Sequence, residues 1–375
     1  MRIAIDFRDT LVARTGVLTW SEEMATALDS LPGVEVGRLM PTSVAASNGL
    51  IGKARSHIRF LLWKQVVLPF LFLRGKYDVL ICPDYVAPWL VASRSVPVFH
   101  DVSFWVHREH YNRYWRFLFM TQAVASGRRA LRIATISQFS RDEISKVLRI
   151  DSSRVMVVPL APKSASLSRR SEAEALSILN TYSVQPPFLL HVGVLEKRKN
   201  LPLLIRAFSR ALDVLDAGTK LVLVGQPGPK ADLDDSRAIR EAIAAEEVTD
   251  SVVLTGHVPD DHLSCFYQCA HGYVFPSLRE GFGIPAIEAM AWGLPVAVSD
   301  ASALPEVVGD AALLFDGTDV EAVADAIVRI SQDSETRDHL VEVGPRHAEG
   351  FTWERSANLL LAELQGAASA GKKEK

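Results

Sequence analysis

Short apolar runs alternate with amphipathic stretches along the whole chain. In the first half, the runs at 3–5, 79–81, 96–99, 133–135 and 155–158 indicate buried strands. The second half repeats the pattern with runs at 188–192, 220–224, 252–254, 272–275, 295–298 and 312–315. Helical periodicity lies between the runs, as in 201–212 and 320–331. Buried strands that alternate with helices are typical of parallel sheets. The pattern therefore predicts an α/β protein with two doubly wound, Rossmann-like domains facing a central cleft.

The two halves are separated by a serine-rich, charged stretch that ends in two prolines. A chain of 375 residues exceeds what one hydrophobic core usually supports, and such a stretch is typical of an exposed connection. We therefore predict a first domain over 1–165, a linker over 166–187 with room for one short helix, and a second domain over 188–352. A final helix is predicted over 353–365, with packing against the first domain as one option, and a disordered tail over 366–375.

Composition narrows the functional classes. A formal net charge of −3 indicates no field strong enough for nucleic-acid binding. The chain has only three cysteines, which is a small and uneven number for a disulfide framework. This number favours a reducing compartment. Cys265 and Cys269 are spaced like one face of a helix in a core. Because no second Cys/His pair accompanies them, we do not expect a metal there.

Signals for export and for membrane insertion are weak in the sequence. The amino terminus reaches Asp6 early and lacks the apolar block of a secretory signal. The most apolar stretch, 66–73, contains Pro69 and is too short to span a bilayer. We therefore expect a cytoplasmic protein. Basic and aromatic residues interleave over 53–64 and 105–119. They fit a peripheral contact with the inner face of the plasma membrane, a pocket for a lipid-linked diphosphate, or ordinary charged helices that cover the core.

The segment from 275 to 295 carries the most specific chemistry. Pro285 suits the first turn of a helix, and Gly293 followed by Pro295 ends it. The amino end of this helix therefore points at the glycine-containing loop 280–283, where a ligand can approach the backbone. Unpaired amides at such an end bind anions, so we expect a phosphate or a diphosphate there.

Two carboxylates flank this predicted anion site. Glu280 lies in the loop, and Glu288 lies in the first turns of the helix. Carboxylates accept hydrogen bonds from hydroxyl groups and do not bind phosphate. A site with both properties fits a molecule that carries phosphates between two polyols, which describes a nucleotide sugar. An acidic side chain that merely stabilises the helix dipole is the alternative.

The pair Glu280 and Glu288 resembles the glutamate pair of the retaining glycosyltransferases of the GT-B fold, in the large family 4 (group 1), of a mannosyltransferase-like type. The segment 191–201 resembles the strand, glycine and loop that bind the donor diphosphate in this family. Other landmarks of the family are matched at Gly225, Thr255–Gly256, His100–Asp101, 137–140 and 157–159. The resemblance therefore covers nearly the whole chain up to about Trp353.

The resemblance implies a role for each site residue. Glu280 would contact hydroxyl groups of the donor sugar, Glu288 the ribose hydroxyls, and Arg198 and Lys199 the diphosphate. His100 would contact the donor sugar and shape the reaction face, so His100 and Glu280 are the implied catalytic residues. The remaining implied donor-binding residues let the ligand approach the backbone: Gly16, Gly193, Gly281, Phe282 and Gly283.

The resemblance also implies the reaction. A hexose, mannose-like as a first expectation, would move from a nucleotide diphosphate to a glycan or a lipid-linked saccharide with retention at the anomeric carbon. The process would belong to the synthesis of a cell-surface polysaccharide or glycolipid. GDP-mannose, a UDP-hexose and a deoxysugar nucleotide all stay open as donors.

No metal or other cofactor is expected, because cations and the helix amino end would stabilise the leaving diphosphate. Asp232 and Asp234 have the spacing of an acidic metal motif, yet their surroundings are typical of a solvated loop. His107 and His110 lack a further ligand in the sequence. We therefore expect both pairs to be free of metal.

The sequence departs from the family pattern at two positions of the implied donor site. Val194 occupies a position that is often arginine, and we expect Arg198 to supply that charge. A single glycine, Gly16, stands where many relatives have two. Without the resemblance, His100 could be a structural histidine, and Arg198 and Lys199 a solvated turn. A catalytically silent nucleotide-sugar-binding scaffold, or another GT-B enzyme such as an epimerase or a glucan phosphorylase, remains the competing interpretation.

Overall fold

The computed structural model describes residues 1–11, 16–41, 49–102, 105, 113–228 and 230–373. The chain divides into two compact units. The first unit comprises Met1–Leu160 together with Trp353–Lys375, and the second comprises Ala161–Thr352. Each unit contains a six-stranded parallel sheet with helices, which confirms the predicted α/β architecture of two Rossmann-like domains.

The sheet of the first unit has the spatial order β2-β1-β3-β4-β5-β6. Its strands are β1 (Arg2–Asp6), β2 (Glu35–Leu39), β3 (Val79–Cys82), β4 (Ser95–Phe99), β5 (Ile133–Thr135) and β6 (Val155–Val157). The helices described in this part of the chain are α1 (Gly16–Asp29), α2 (Gly49–Leu62), α3 (Leu68–Arg74), α4 (Arg113–Arg129) and α5 (Gln138–Leu148). All predicted strands of this half are present, because each is an apolar run buried on both faces of the sheet.

Strand β2 was not predicted from the hydrophobic pattern. It lies at the edge of the sheet and is partly exposed along its length, with Glu35 and Arg38 among its five residues. Position 37 is glycine because a Cβ there would lie 2.1 Å from the hydroxyl oxygen of Tyr77, so it adds no apolar side chain to the pattern. An edge strand with charged residues and a glycine carries no clear apolar run.

One helical segment differs from the sequence-based expectation. A π-helical turn, Trp63–Val67, joins α2 to α3 without a break, so the apolar run 66–73 belongs to a longer helix. Arg55–Arg74 spans 20 residues, and an 18-residue window of it has a mean hydropathy of 1.2, with 28% of that window buried. By length and composition alone this helix could cross a membrane, yet Lys64, Leu68 and Phe72 within it are buried inside the first unit. That the run 66–73 does not span a bilayer stays a prediction.

The sheet of the second unit has the order β12-β11-β10-β7-β8-β9, so β7 and β10 lie side by side in its middle. Its strands are β7 (Phe188–Val192), β8 (Lys220–Val224), β9 (Val252–Gly256), β10 (Gly272–Phe275), β11 (Val296–Ser299) and β12 (Leu313–Phe315). Its helices are α6 (Glu172–Thr181), α7 (Leu201–Ala211), α8 (Ser236–Ala245), α9 (Asp260–Cys269), α10 (Ile284–Ala291), α11 (Leu304–Val308), α12 (Val320–Gln332) and α13 (Ser334–Ala348).

The stretch 166–187 lies inside the second unit and is not a free linker. Helix α6 begins with a capping box between Ser171 and Glu174 and packs against α9. Ala175 and Leu179 are fully buried, and the hydroxyl of Tyr182 lies 2.9 Å from His262 Nδ1. The serine-rich composition gave no indication that this helix is packed in the second unit, because so short a helix contains few buried apolar residues.

The carboxyl-terminal helix α14 (Trp353–Lys373) belongs to the first unit. It packs against α1, buries Ala357, Leu360 and Leu364, and the Ser356 hydroxyl donates to the Pro159 carbonyl at 2.7 Å. The helix continues past 365, where a disordered tail was predicted. Alanines beyond Gly366 favour helix, and they outweigh a single glycine once the first three turns are packed.

Candidate active site

The candidate site of the second unit forms at the carboxyl ends of β7 and β10. A short 3-10 turn, Lys197–Lys199, follows β7 and ends at Asn200, which has a left-handed backbone with φ of 55°. The Asn200 side-chain amide donates to the Gly317 carbonyl at 2.7 Å and holds this turn in place. Glu280 follows β10, and the Leu278 amide donates to the Arg198 carbonyl at 2.8 Å. The two loops are therefore tied together at the sheet edge that commonly binds ligands in parallel folds.

Glu280 lies between the two predicted phosphate-binding cations. Its Oε1 accepts from Lys199 Nζ at 2.7 Å and from Arg198 Nη1 at 2.8 Å. Arg198 Nε also donates to Glu196 Oε2 at 2.8 Å. Lys199 is only 5% exposed, and its Nζ lies 4.5 Å from the centre of the Phe275 ring. Three residues that are up to 82 positions apart thus form one compact ion cluster.

The cluster sets the protonation of its members. Burial alone would raise the pKa of Glu280, but the charges of Lys199 and Arg198 outweigh it and lower that pKa to about 2. Burial lowers the pKa of Lys199, and the Glu280 carboxylate opposes this effect. At neutral pH the carboxylate is therefore charged, and it is held by the same cations that an incoming anion would contact.

Helix α10 begins a few residues after Glu280 in the sequence. Gly283 precedes the helix with a φ of 109°, in the left-handed region, and Pro285 lies in the first turn. The amides of Gly281, Phe282 and Gly283 donate no hydrogen bond to any residue that the structure describes. The Phe282 side chain is buried, with its ring 5.7 Å from that of Phe351. The loop backbone therefore carries unpaired donors of the kind that bind anions.

Glu288 is buried and already bonded within the second unit. Its Oε1 accepts from the Ser166 hydroxyl at 2.7 Å and from the Lys163 amide at 3.4 Å. Its Oε2 accepts from the Tyr267 hydroxyl at 2.9 Å. Burial raises the pKa of Glu288, and these hydrogen bonds offset part of the rise. The implied contact with ribose hydroxyls stays a prediction, and it requires the lone pairs that these donors leave unused.

Two glycines bring the ends of β7 and β8 close together. A Cβ on Gly225 would lie 1.8 Å from the Gly193 carbonyl oxygen, so only glycine fits there. A Cβ on Gly193 would lie 3.1 Å from Lys199 Cε and would press on that side chain. Gly193 therefore leaves Lys199 the room that it occupies beside Glu280.

The first unit contains the other implied site residues. His100 follows β4, and its Nε2 lies 3.1 Å from the Pro83 carbonyl. Because a carbonyl only accepts, Nε2 carries the proton and the lone pair lies on Nδ1. Burial lowers the pKa of His100, so the ring is neutral at physiological pH. Gly16 is exposed at the start of α1, and a Cβ at this position would have no other atom within 4 Å. Their roles toward the donor stay predictions.

Several residues of the site carry no recognised signal in the sequence. The Ser302 hydroxyl accepts the Glu280 amide at 2.8 Å, and the Ser302 backbone is left-handed. The sequence pattern places Ser166 in the linker and Tyr267 merely in a helix. His191 lies in the segment 191–201 that resembles the family, but the resemblance assigns it no role. A polar residue inside an apolar strand, such as His191, is the one signal that could have been used.

The other predicted features fall outside this cluster. Cys265 is buried on α9 and Cys269 is partly exposed. Asp234 accepts from the Ser236 hydroxyl at 2.7 Å. Across the described ranges no group of three His, Cys, Asp or Glu side chains is placed to hold a metal ion. His107 and His110 lie outside the described residues.

Two Rossmann-like units, with Lys199, Arg198 and Glu280 at the carboxyl edge of the second sheet, fit the GT-B class of glycosyltransferases. The family model for glycosyl transferases group 1 matches residues 180–347. O-antigen chain mannosyltransferase B of Escherichia coli is 32% identical over 278 residues, which cover 72% of this chain and 70% of that protein. The chain belongs to the group 1 glycosyltransferases, which confirms the resemblance to that group seen in the sequence.

Solved structures show the same fold. Sucrose-phosphate synthase from Thermosynechococcus elongatus superimposes with a TM-score of 0.76 at 20% identity, covering 99% of this chain and 100% of that one. The Anabaena protein HepE in complex with UDP-glucose superimposes with a TM-score of 0.70 at 16% identity, covering 100% of both chains. At these identities the likeness supports the architecture alone.

Proposed function

We propose that this glycosyltransferase moves a mannose-like hexose from a nucleotide diphosphate to a saccharide acceptor, with retention at the anomeric carbon and without a metal. The observation that carries the proposal is the cluster of Lys199, Arg198 and Glu280 next in the chain to unpaired amides at the start of α10. This arrangement supplies cations for a diphosphate and a carboxylate for sugar hydroxyls within one hydrogen-bonded group.

In the proposed reaction, the bond between the anomeric carbon and the phosphate oxygen breaks while the acceptor oxygen bonds to that carbon on the same face. The departing phosphate takes the acceptor's proton, so no protein nucleophile is needed. Negative charge grows on the diphosphate, where Lys199, Arg198 and the loop amides would stabilise it. Each well-aimed donor of this kind contributes roughly 3 kcal/mol in a site that excludes water.

The shared Oε1 of Glu280 couples the two halves of donor recognition in this proposal. In the structure, Lys199 and Arg198 both donate to that oxygen. A diphosphate that draws the cations toward itself would release lone pairs on Glu280 for the hydroxyls of the sugar. Free hexose should therefore bind poorly unless a nucleoside diphosphate is present.

The mannose-like donor is supported by the relative that shares 32% identity with this chain, whose name describes an O-antigen chain mannosyltransferase. We also propose a role in the synthesis of a cell-surface polysaccharide, which the same name supports, and a cytoplasmic location for the enzyme. We expect GDP-mannose to raise the melting temperature more than UDP-glucose or a deoxysugar nucleotide. A ligand at 100 times its Kd stabilises the folded state by about 2.7 kcal/mol. If none of these donors raised the melting temperature, the proposal would be overturned.

Product analysis separates this function from its alternatives. With donor and acceptor, NMR of the product should show the anomeric configuration of the donor, and added EDTA should leave turnover unchanged. Inversion would contradict the stereochemistry, and recovery of activity only with added manganese would contradict metal independence. An epimerase would convert the donor without an acceptor. A silent scaffold would show neither transfer nor slow donor hydrolysis.

We further propose a peripheral contact between the first unit and an anionic membrane, through the helix Arg55–Arg74. Ile58, Leu62, Val66 and Phe70 recur every fourth residue and are each more than half exposed, so they lie near one another along one side of the helix. Residues 49–76 contain no acidic residue. An apolar stripe with basic flanks fits a surface of anionic lipid.

A flotation assay tests this contact. The protein is expected to float with vesicles of phosphatidylglycerol and to float less at high salt, because salt screens the attraction of the basic residues. Leu62→Asp with Phe70→Asp should abolish flotation, since both changes place charge on the stripe. Leu359→Asp, at an exposed leucine of α14, is the matched control and should float like the wild type. Equal flotation of the double variant would remove this helix from the contact.

A further inference from the structure

His191 is a buried histidine in the middle of the second sheet. It lies on β7 with no exposed surface, and its ring packs 5.6 Å from that of Phe275. Its Nδ1 lies 3.0 Å from the Val274 carbonyl oxygen. Because a carbonyl oxygen can only accept, Nδ1 carries the proton of the neutral ring. The lone pair therefore lies on Nε2.

The Nε2 atom of His191 faces the ion cluster and has no hydrogen-bond partner among the described residues. A Cβ built on Gly193 would lie 3.4 Å from this atom and 3.3 Å from Lys199 Nζ. The acceptor and the ammonium therefore both lie within 3.4 Å of one point beside Gly193. A buried acceptor without a donor costs free energy, and the position of this one beside Gly193 places it near the Lys199 ammonium.

We propose that His191 is a positioning residue for Lys199. Once a diphosphate draws the Lys199 ammonium away from Glu280, Nε2 of His191 accepts a hydrogen bond from that ammonium. The inference rests on the proposed function, because it requires a diphosphate at Lys199. His191 does not touch the donor. It acts by giving the displaced ammonium a second, fixed acceptor, so that Lys199 stays charged and aimed at the phosphate.

The electrostatics of the cluster suit this role. Burial, with the neighbouring Lys199 charge, lowers the pKa of His191 to about 3, so the ring is a neutral acceptor throughout the physiological range. The charged groups that act on Lys199 are Glu280 and Glu196, which raise its pKa, and Arg198, which lowers it. An acceptor lone pair stabilises the ammonium form. Removing it should therefore lower the pKa of Lys199 further.

Two variants of His191 separate positioning from a purely structural role. In His191→Asn the amide NH₂ can still donate to the Val274 carbonyl, but the side chain is too short to reach Lys199. In His191→Gln the side-chain oxygen can occupy the position of Nε2. The measurement is the Kd of GDP and of UDP by calorimetry from pH 6 to pH 10, alongside thermal unfolding. His262→Asn, which alters a histidine bonded to the Tyr182 hydroxyl, is the control.

We expect His191→Asn to weaken nucleoside diphosphate binding about tenfold at pH 8, as for loss of a hydrogen bond to a charged group. Affinity falls as pH rises through the pKa of Lys199, so the midpoint of this fall should move to lower pH. His191→Gln should restore the wild-type midpoint, and His262→Asn should keep it.

The outcomes distinguish the inference from the function on which it rests. If the wild type binds a nucleoside diphosphate and His191→Asn keeps its Kd and its midpoint, the positioning role is wrong and the function stands. If His191→Asn does not fold, His191→Phe, which has no acceptor, takes its place. The role is supported if the pH midpoint of the fall in affinity is unchanged in His191→Gln and lower in His191→Phe. A lower midpoint in folded His191→Gln overturns the role. If the wild type binds neither GDP nor UDP, both proposals fail together.

Discussion

Replacing Glu280 with alanine is expected to lower kcat/KM by at least ~30-fold, which corresponds to ~2 kcal/mol of transition-state stabilisation. The carboxylate is the only described side chain that binds both Lys199 and Arg198, and in the proposed reaction it accepts hydroxyls of the donor sugar. Its removal takes away that contact and lets the cations relax from their positions. Steady-state kinetics with the preferred donor would measure the effect.

Stability must be followed in the same experiment. Glu280→Ala leaves the buried Lys199 ammonium with one carboxylate fewer, and an uncompensated buried charge costs about 3 to 5 kcal/mol. Thermal unfolding of each variant therefore comes before any comparison of kinetics. Glu241→Ala, which breaks an exposed pair with Arg237, is the control and should change neither quantity much. Near-normal kinetics in a folded Glu280→Ala variant would remove Glu280 from the reaction.

Replacing Lys199 with alanine is expected to weaken binding of the free nucleoside diphosphate by about 100-fold, or ~3 kcal/mol. Lys199 is buried apart from 5% of its surface, so water screens its charge little. Its attraction for a phosphate is therefore much larger than that of a surface lysine. Calorimetry with GDP or UDP measures this loss directly, without an acceptor and without turnover.

Lys197 provides a matched control two residues away. It belongs to the same 3-10 turn and carries the same charge, but it is exposed and makes no contact with Glu280 that the structure describes. Lys197→Ala should change the Kd less than about threefold at physiological salt. If the two variants weaken binding equally, the anion is attracted by general charge and Lys199 has no specific place in the site.

Most strands were predictable because they are apolar runs, and those in the middle of each sheet are buried on both faces. The exception, β2, shows the limit of that signal, since an edge strand with Glu35 and Arg38 follows no apolar pattern. Helix α6 shows another limit, because two buried positions, Ala175 and Leu179, suffice to pack it into the second unit. Short elements carry too few apolar positions for their burial to be inferred from composition.

The sequence indicated where residues of the candidate site lie along the chain, but not which of them are in contact. The motif spacing placed Glu280 and Lys199 at loops after strands, and the order of strands in the sheet then makes β7 and β10 neighbours. The pattern of the chain does not reveal that order. The pairing of Glu280 with the cations and the engagement of Glu288 by Ser166 therefore needed the structure.

The first unit is assembled from two separate stretches of chain, and its last helix arrives late. Helix α14 packs against α1, whose Trp20 and Met24 are fully buried. A ribosome needs roughly 10 to 40 s to synthesise the intervening residues 161–352. The second unit can therefore finish folding before the first one, although it is encoded later. Until then the nascent α1 lacks its helical neighbour, and we expect its apolar face to be open to chaperones during translation.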